Sequence, residues 1–234
     1  MIPIRIEGRL QGRPYATWAI AVVCTAVLLR LAWRPDERAA SILHTLAFVP
    51  SRFLAAPWSP DQLVTLVTSA LLHAGWVHLA GNVLYLVVFG PTVELRLGRL
   101  SFLALYALSG ACGALLHAFV HPTSAVPLVG ASGAIAGILG AALVLAPHAR
   151  TTTIIPVIVF IEVASLPVAF VIAMWFALQV ASALAPVAQG GASTVAWYAH
   201  IGGFAVGTAW GALNVGAARR RPARGRSNGV RRRA

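Results

Sequence analysis

Val129-Gly130-Ala131-Ser132-Gly133-Ala134-Ile135-Ala136-Gly137-Ile138-Leu139-Gly140-Ala141-Ala142-Leu143-Val144-Leu145 is the stretch on which the fold turns. From Ser132 to Leu145 every residue is apolar or small, so the run reads as a helix that avoids water on all sides. It is also short. At ~1.5 Å per residue it covers ~21 Å of a ~30 Å hydrocarbon core. Its helix therefore starts below the membrane surface, and the preceding residues His121–Ala131 dip inward to meet it. Irregular backbone at that depth is tolerated only where protein or a water-filled cavity surrounds it.

Working outward, five more apolar segments appear: Thr17–Trp33, Gly75–Gly90, Leu100–Val120, Leu166–Leu184 and Trp197–Val215. Backbone groups cannot stay unpaired in lipid, so all six segments are expected to be helices. The composition agrees. The 234 residues are 59% hydrophobic and 10% charged, with mean hydropathy +0.79, whereas soluble domains carry roughly 25% charged residues. The expected architecture is an all-α membrane protein, a six-helix bundle over residues 17–216. A short segment, 1–16, precedes it, and an Arg-rich tail, 217–234, follows and is read as disordered.

All 18 basic residues are arginine, and eight lie in the last eighteen positions. The net charge of +12 raises nucleic acid as a partner. A basic tail beside a membrane helix instead sets topology and touches anionic lipid, so no nucleic-acid partner is expected. With the amino terminus cytoplasmic, fourteen arginines fall inside and Arg34, Arg38 and Arg52 outside, with Arg30 near the boundary. Both termini are then cytoplasmic, as an even number of spans requires. Leu31-Ala32-Trp33 is a poor cleavage site, so the first segment is read as an uncleaved span. Cys24 and Cys112 sit in apolar runs and are read as packing residues, neither disulfide nor metal site. Between Arg34 and Gln62 lies a long loop whose stretch Ile42–Leu54 is apolar enough to lie in the interface.

Polar residues at depth carry the chemistry. Ser132 opens the fourth segment between Gly130 and Gly133. At a helix amino terminus it sits among free backbone N–H groups and the positive end of the dipole, which would favour an oxyanion. The plainer alternative is a helix-capping serine beside packing glycines. His200 lies near the start of the sixth segment, followed by the small-xxx-small pair Gly203 and Gly207. Packing of that pair on Gly133, Gly137 and Gly140 would bring His200 to Ser132. His78 and Asn82 are i, i+4 neighbours on one face of the second segment and present donors towards one point, or tie helices together. His73 lies about a turn earlier. Asn82, Ser132 and His200 fall at comparable depth in their segments.

Taken in order, these residues resemble the rhomboid intramembrane proteases: H-x-x-x-x-H-x-x-x-N at His73, His78 and Asn82, E-x-R at Glu94 and Arg96 in the loop after the second helix, G-x-S-G at Gly130–Gly133, and A-H-x-x-G-x-x-x-G at Ala199–Gly207. The resemblance implies a Ser132–His200 dyad that cleaves membrane-anchored substrates without metal or cofactor. It also implies an oxyanion hole from His78, Asn82 and the Ser132 backbone, supported by His73, Gly130, Gly133, Glu94, Arg96, Gly203 and Gly207. By the same analogy, the fifth segment with Trp175, Phe176 and Gln179 is a lateral gate. Two positions depart from the family pattern. Val64-Thr65 stands where Trp-Arg is common, and Ala136 where an aromatic residue stacks on the catalytic histidine, which implies a less firmly held His200. Glu162 is the only acid after Glu94 and is placed in a cytoplasmic loop, so helix packing and a backbone or water contact must orient the imidazole. The alternative readings are a catalytically inactive rhomboid-like client-binding protein and, less well supported, a small transporter. The arginine- and alanine-rich composition points to a bacterial plasma membrane, with the site open to the extracytoplasmic side.

Overall fold

The computed structural model describes residues 1–7, 12–33, 37–157, 160–185 and 196–220. Six long helices occupy the six apolar segments. They are interspersed with short helices in the first loop and a small sheet. In chain order the elements are β1 (Ile2–Ile6), α1 (Tyr15–Ala32), α2 (Glu37–Leu46), α3 (Pro50–Ala55), α4 (Pro60–Thr68), α5 (Trp76–Leu97), α6 (Arg99–Val120), α7 (Ser132–Leu145), β2 (Arg150–Val157), β3 (Phe160–Pro167), α8 (Val168–Leu184) and α9 (Trp197–Arg220). A 3-10 turn at Ser69–Leu71 joins α4 to the approach of α5. Among the described residues α1, α5 and α6 are each long and apolar enough to cross a membrane, and α7 and α8 are shorter apolar helices. Residues 217–220 of the expected tail belong to helix α9, and the remainder, 221–234, lies outside the described residues.

Helix α7 is the axis of the bundle. Eleven of its residues are buried, from Gly133 to Ala142 and at Leu145, as an all-round apolar sequence demands. Glycine lets the neighbouring backbones close in. A Cβ at Gly203 would run into the Gly133 carbonyl oxygen, and one at Gly207 into that of Gly137. A Cβ at Gly113 on α6 would likewise meet the Ala199 carbonyl. Such contacts replace the hydrophobic drive that lipid cannot supply between helices. Because 203 sits on 133 and 207 on 137, α7 and α9 run parallel. Helix α5 runs the same way, with His78 beside Gly130 at one end and Arg96 bonded to Leu145 at the other.

Three features differ from the sequence reading. First, α5 continues past Gly90-Pro91 to Leu97, so Glu94 and Arg96 stand in its last turns and not in a loop. Proline removes one backbone donor, but packing sustains the helix: a Cβ at Gly90 would lie 2.9 Å from Thr17 Cγ2. Glu94 is buried, and its carboxylate accepts from the backbone N–H of Ala16 (3.0 Å) and Thr17 (2.8 Å) and from the Thr17 hydroxyl (2.8 Å). It caps the amino terminus of α1, whose own Pro14 offers no side-chain acceptor. Arg96 donates to the Leu145 carbonyl and so covers the carboxyl end of α7.

Second, residues 150–157, 160–167 and the amino-terminal segment form a three-stranded antiparallel sheet, β1-β2-β3, where a loop and a short amino-terminal segment were expected. The hairpin pairs Arg150 with Pro167 through Val157 with Phe160, and β1 adds through Ile2↔Ile154 and Ile6↔Thr151. The run is rich in Thr, Ile and Val, which suit a pleated surface. It extends from the end of α7, opposite Ser132. Third, Ile42–Leu54 is divided between α2 and α3. Phe48 and Phe53 are buried against Ala114 and Ala118 of α6.

Candidate active site

The approach to α7 is pinned from both sides. Phe48 and Leu128 exchange backbone hydrogen bonds of 3.3 and 2.7 Å, and Ser51 N donates to Ser124 O at 3.0 Å. Gly130 N then donates to Ser69 O at 2.9 Å. These bonds satisfy the backbone of a segment that enters the bundle as irregular chain. Gly130 has φ +127°, a left-handed conformation that glycine alone adopts readily. It delivers the chain into α7, whose first residue is the half-buried Ser132.

Glycine is needed at 130 for a second reason. A Cβ there would lie 2.7 Å from His78 Cε1, 2.8 Å from His78 Nε2 and 3.6 Å from Asn82 Nδ2. The His78–Asn82 face of α5 thus abuts the turn two residues before Ser132. Asn82 is buried, and its Nδ2 donor has no partner among the described residues. His73 packs edge-on against His78, with ring centroids 5.3 Å apart, and is itself buried with neither ring nitrogen bonded.

The third wall comes from α9. A Cβ at Gly133 would lie 3.4 Å from the Ala199 carbonyl oxygen, so the first turns of α7 and α9 touch backbone to backbone. His200 follows Ala199 directly and is buried. Its Nδ1 lies 2.7 Å from Gln179 Oε1 of α8. Trp175 of α8 and Trp197 of α9 each stand with ring centroids 6.0 Å from the imidazole.

The Rhomboid domain family model covers residues 60–216. The chain belongs to the rhomboid family. It is 42% identical over 81 residues to Rhomboid protease GluP of Bacillus subtilis, covering 35% of this chain and 15% of that protein. It is 32% identical over 144 residues to Rhomboid-like protein 11, chloroplastic, of Arabidopsis thaliana, covering 60% and 49%. It is also 33% identical over 87 residues to Inactive rhomboid protein 1 of Drosophila melanogaster, covering 37% and 6%. The chain thus spans half or less of each relative's own length.

In this rhomboid the predicted residues divide into two groups. Ser132, His200, His78, Asn82, His73, Gly130, Gly133 and Gly203 converge around the first turns of α7 and α9. Gly207 continues the α7–α9 seam one turn further in, and Glu94 and Arg96 act at the far end, holding α1 and α7 to α5. Where the sequence reading looked to helix packing and a backbone or water contact to orient His200, a side chain, Gln179, engages it. Ala136 leaves no aromatic on α7, yet two tryptophans flank the ring from α8 and α9. Sequence reasoning also missed Ser109, which is buried on α6 where a Cβ at Gly137 would collide with it. Its signal was the small-residue run Ser109-Gly110-Ala111-Cys112-Gly113.

Proposed function

We propose that this rhomboid is an intramembrane serine endopeptidase that cleaves membrane-anchored proteins in or near their transmembrane segment. The carrying observation is the unpartnered amide of buried Asn82 against Gly130, at the turn that launches Ser132. A buried donor without an acceptor is unfavourable by roughly 1–3 kcal/mol. A developing oxyanion beside Ser132 would supply the acceptor.

In this mechanism Nε2 of His200 takes the Ser132 proton and Ser132 Oγ attacks the peptide carbonyl. The carbonyl oxygen gathers negative charge and meets Asn82 Nδ2, the His78 ring and the free N–H groups of the first α7 turn. His200 then returns the proton to the leaving amine, and water releases the acyl group by the reverse sequence. The chemistry calls on no metal or cofactor. The distribution of arginine favours cytoplasmic termini, an extracytoplasmic site in a bacterial plasma membrane, and a tail, 217–234, on anionic lipid.

The test is labelling by a fluorophosphonate and cleavage of a fluorescent membrane-anchored substrate. The wild type should do both, and Ser132→Ala and His200→Ala should each lose both while remaining folded, because the two residues act in one step. Folded wild-type protein that neither labels nor cleaves would instead match the reading of an inactive, client-binding rhomboid.

A further inference from the structure

Gln179 is an anomaly on α8. Apart from Gln179 and Ser182 the helix is apolar, and its buried residues are Val168, Val171, Ile172 and, two turns later, Gln179. Burying a primary amide in such surroundings is unfavourable unless its polar atoms are satisfied. Both ends are engaged. Gln179 Nε2 donates to the Trp175 carbonyl at 3.2 Å, and Gln179 Oε1 faces His200 Nδ1 at 2.7 Å.

The first bond settles the second. A carbonyl can only accept, so the amide nitrogen must be the atom beside Trp175. The amide oxygen is then the atom beside His200, and an oxygen there can only accept. His200 must therefore carry its proton on Nδ1, which leaves Nε2 with the free lone pair. No acid sits on α6, α7, α8 or α9, so no carboxylate on these helices competes for the role. Trp175 and Trp197 close on the ring from two sides, 6.0 Å centroid to centroid, and limit its rotation.

We infer that Gln179 is the positioning residue of His200, fixing its Nδ1–H tautomer and ring orientation as a neutral replacement for the acid of a three-membered catalytic set. The inference rests on the protease reading for its kinetic consequence, but its spectroscopic consequence stands without it. It differs from an acid in one respect. A neutral acceptor orients the imidazole without adding a charge that would stabilise the imidazolium.

The test compares Gln179→Met, which keeps shape and loses the acceptor, with Gln179→Glu. A carboxyl at this position keeps an oxygen that can accept from His200 Nδ1. In Gln179→Met, kcat should fall about tenfold with KM unchanged, the loss of one neutral hydrogen bond. Gln179→Glu should stay within about threefold of wild type, because the acceptor is restored. In parallel, ¹⁵N-histidine spectra of Ser132→Ala protein should show His200 protonated at Nδ1, and a mixture of tautomers once Gln179→Met is added. An unchanged tautomer and unchanged kcat in folded Gln179→Met would overturn the inference. So would equal losses in the Met and Glu variants at preserved melting temperature. Wild type that never cleaves, with the tautomer shift intact, would overturn the protease reading alone.

Discussion

At the residue scale the decisive group is Asn82. It could be interhelical glue or an oxyanion donor, and the two roles separate experimentally. As glue it would have a partner, yet its Nδ2 has none among the described residues and lies against the turn that carries Ser132. Asn82→Ala should therefore lower kcat by about 10²–10³ and barely move the melting temperature, since its Nδ2 makes no bond to the described residues that could be lost. A collapse in melting temperature with kcat preserved would return Asn82 to a structural role. Much at this scale was legible in advance. Ser132, His200, His78 and Asn82 announce themselves because polar residues in apolar segments demand a reason. Gln179 was visible as a polar residue on the fifth segment, but its link to His200 was not. That contact joins residues 21 apart in sequence on two helices, and no periodicity encodes it.

At the element scale, helices are held to one another by two devices, and each predicts a loss. The first is the glycine seam. Gly207 faces the Gly137 carbonyl at backbone contact, so Gly207→Val has nowhere to place its side chain. Overpacking typically costs 1–3 kcal/mol. Here the obstruction is backbone, so α7 and α9 must separate at that level, loosening the first turns that carry Ser132 and His200. Melting temperature and proteolysis should fall together, unlike in Asn82→Ala. The second device is the Glu94 cap. Glu94→Ala strands the N–H groups of Ala16 and Thr17 and the Thr17 hydroxyl, at roughly 1–3 kcal/mol for each donor left buried and unpaired. Thr17→Val removes one bond and should cost about 1 kcal/mol. Thermal unfolding in detergent would order them wild type, Thr17→Val, Glu94→Ala, and the reverse order would refute the cap. Helix α7 was legible to the residue, because Gly130 and Ala146-Pro147 punctuate an unbroken apolar run. The end of α5 was not. Gly90-Pro91 reads as a terminus, and only the packing of Gly90 on Thr17 shows why the helix carries on. The sheet was missed for a related reason. Its Thr- and Ile-rich signal lies beside charged residues between apolar segments, where a loop is the ordinary reading.

At the scale of the whole molecule the bundle has two unlike ends. Helices α5, α7 and α9 run parallel from the end that holds Gly130, Ser132 and His200 to the end that holds Arg96, Leu145 and the sheet. Arg5, Arg96, Arg99 and Arg150 gather at the sheet end, where Arg99 also lies 4.5 Å over the Tyr15 ring at the start of α1. Arg30, in the last turn of α1, and Arg52 belong to the other end. Short cytoplasmic connections are enriched in arginine, so the sheet should face the cytoplasm and the Ser132 end the outside. Two exposed positions report this directly: Thr123, in the loop that leads to Ser132, and Glu162 on β3. In a background with Cys24 and Cys112 replaced, Thr123→Cys should react with an impermeant maleimide in intact cells. Glu162→Cys should react only after the membrane is opened. Because the two positions lie at opposite ends of α7, a bundle of this geometry cannot expose both on one side. Reaction at Glu162→Cys alone would invert the orientation and turn the site to the cytoplasm, and reaction at both in intact cells would refute the spanning geometry itself.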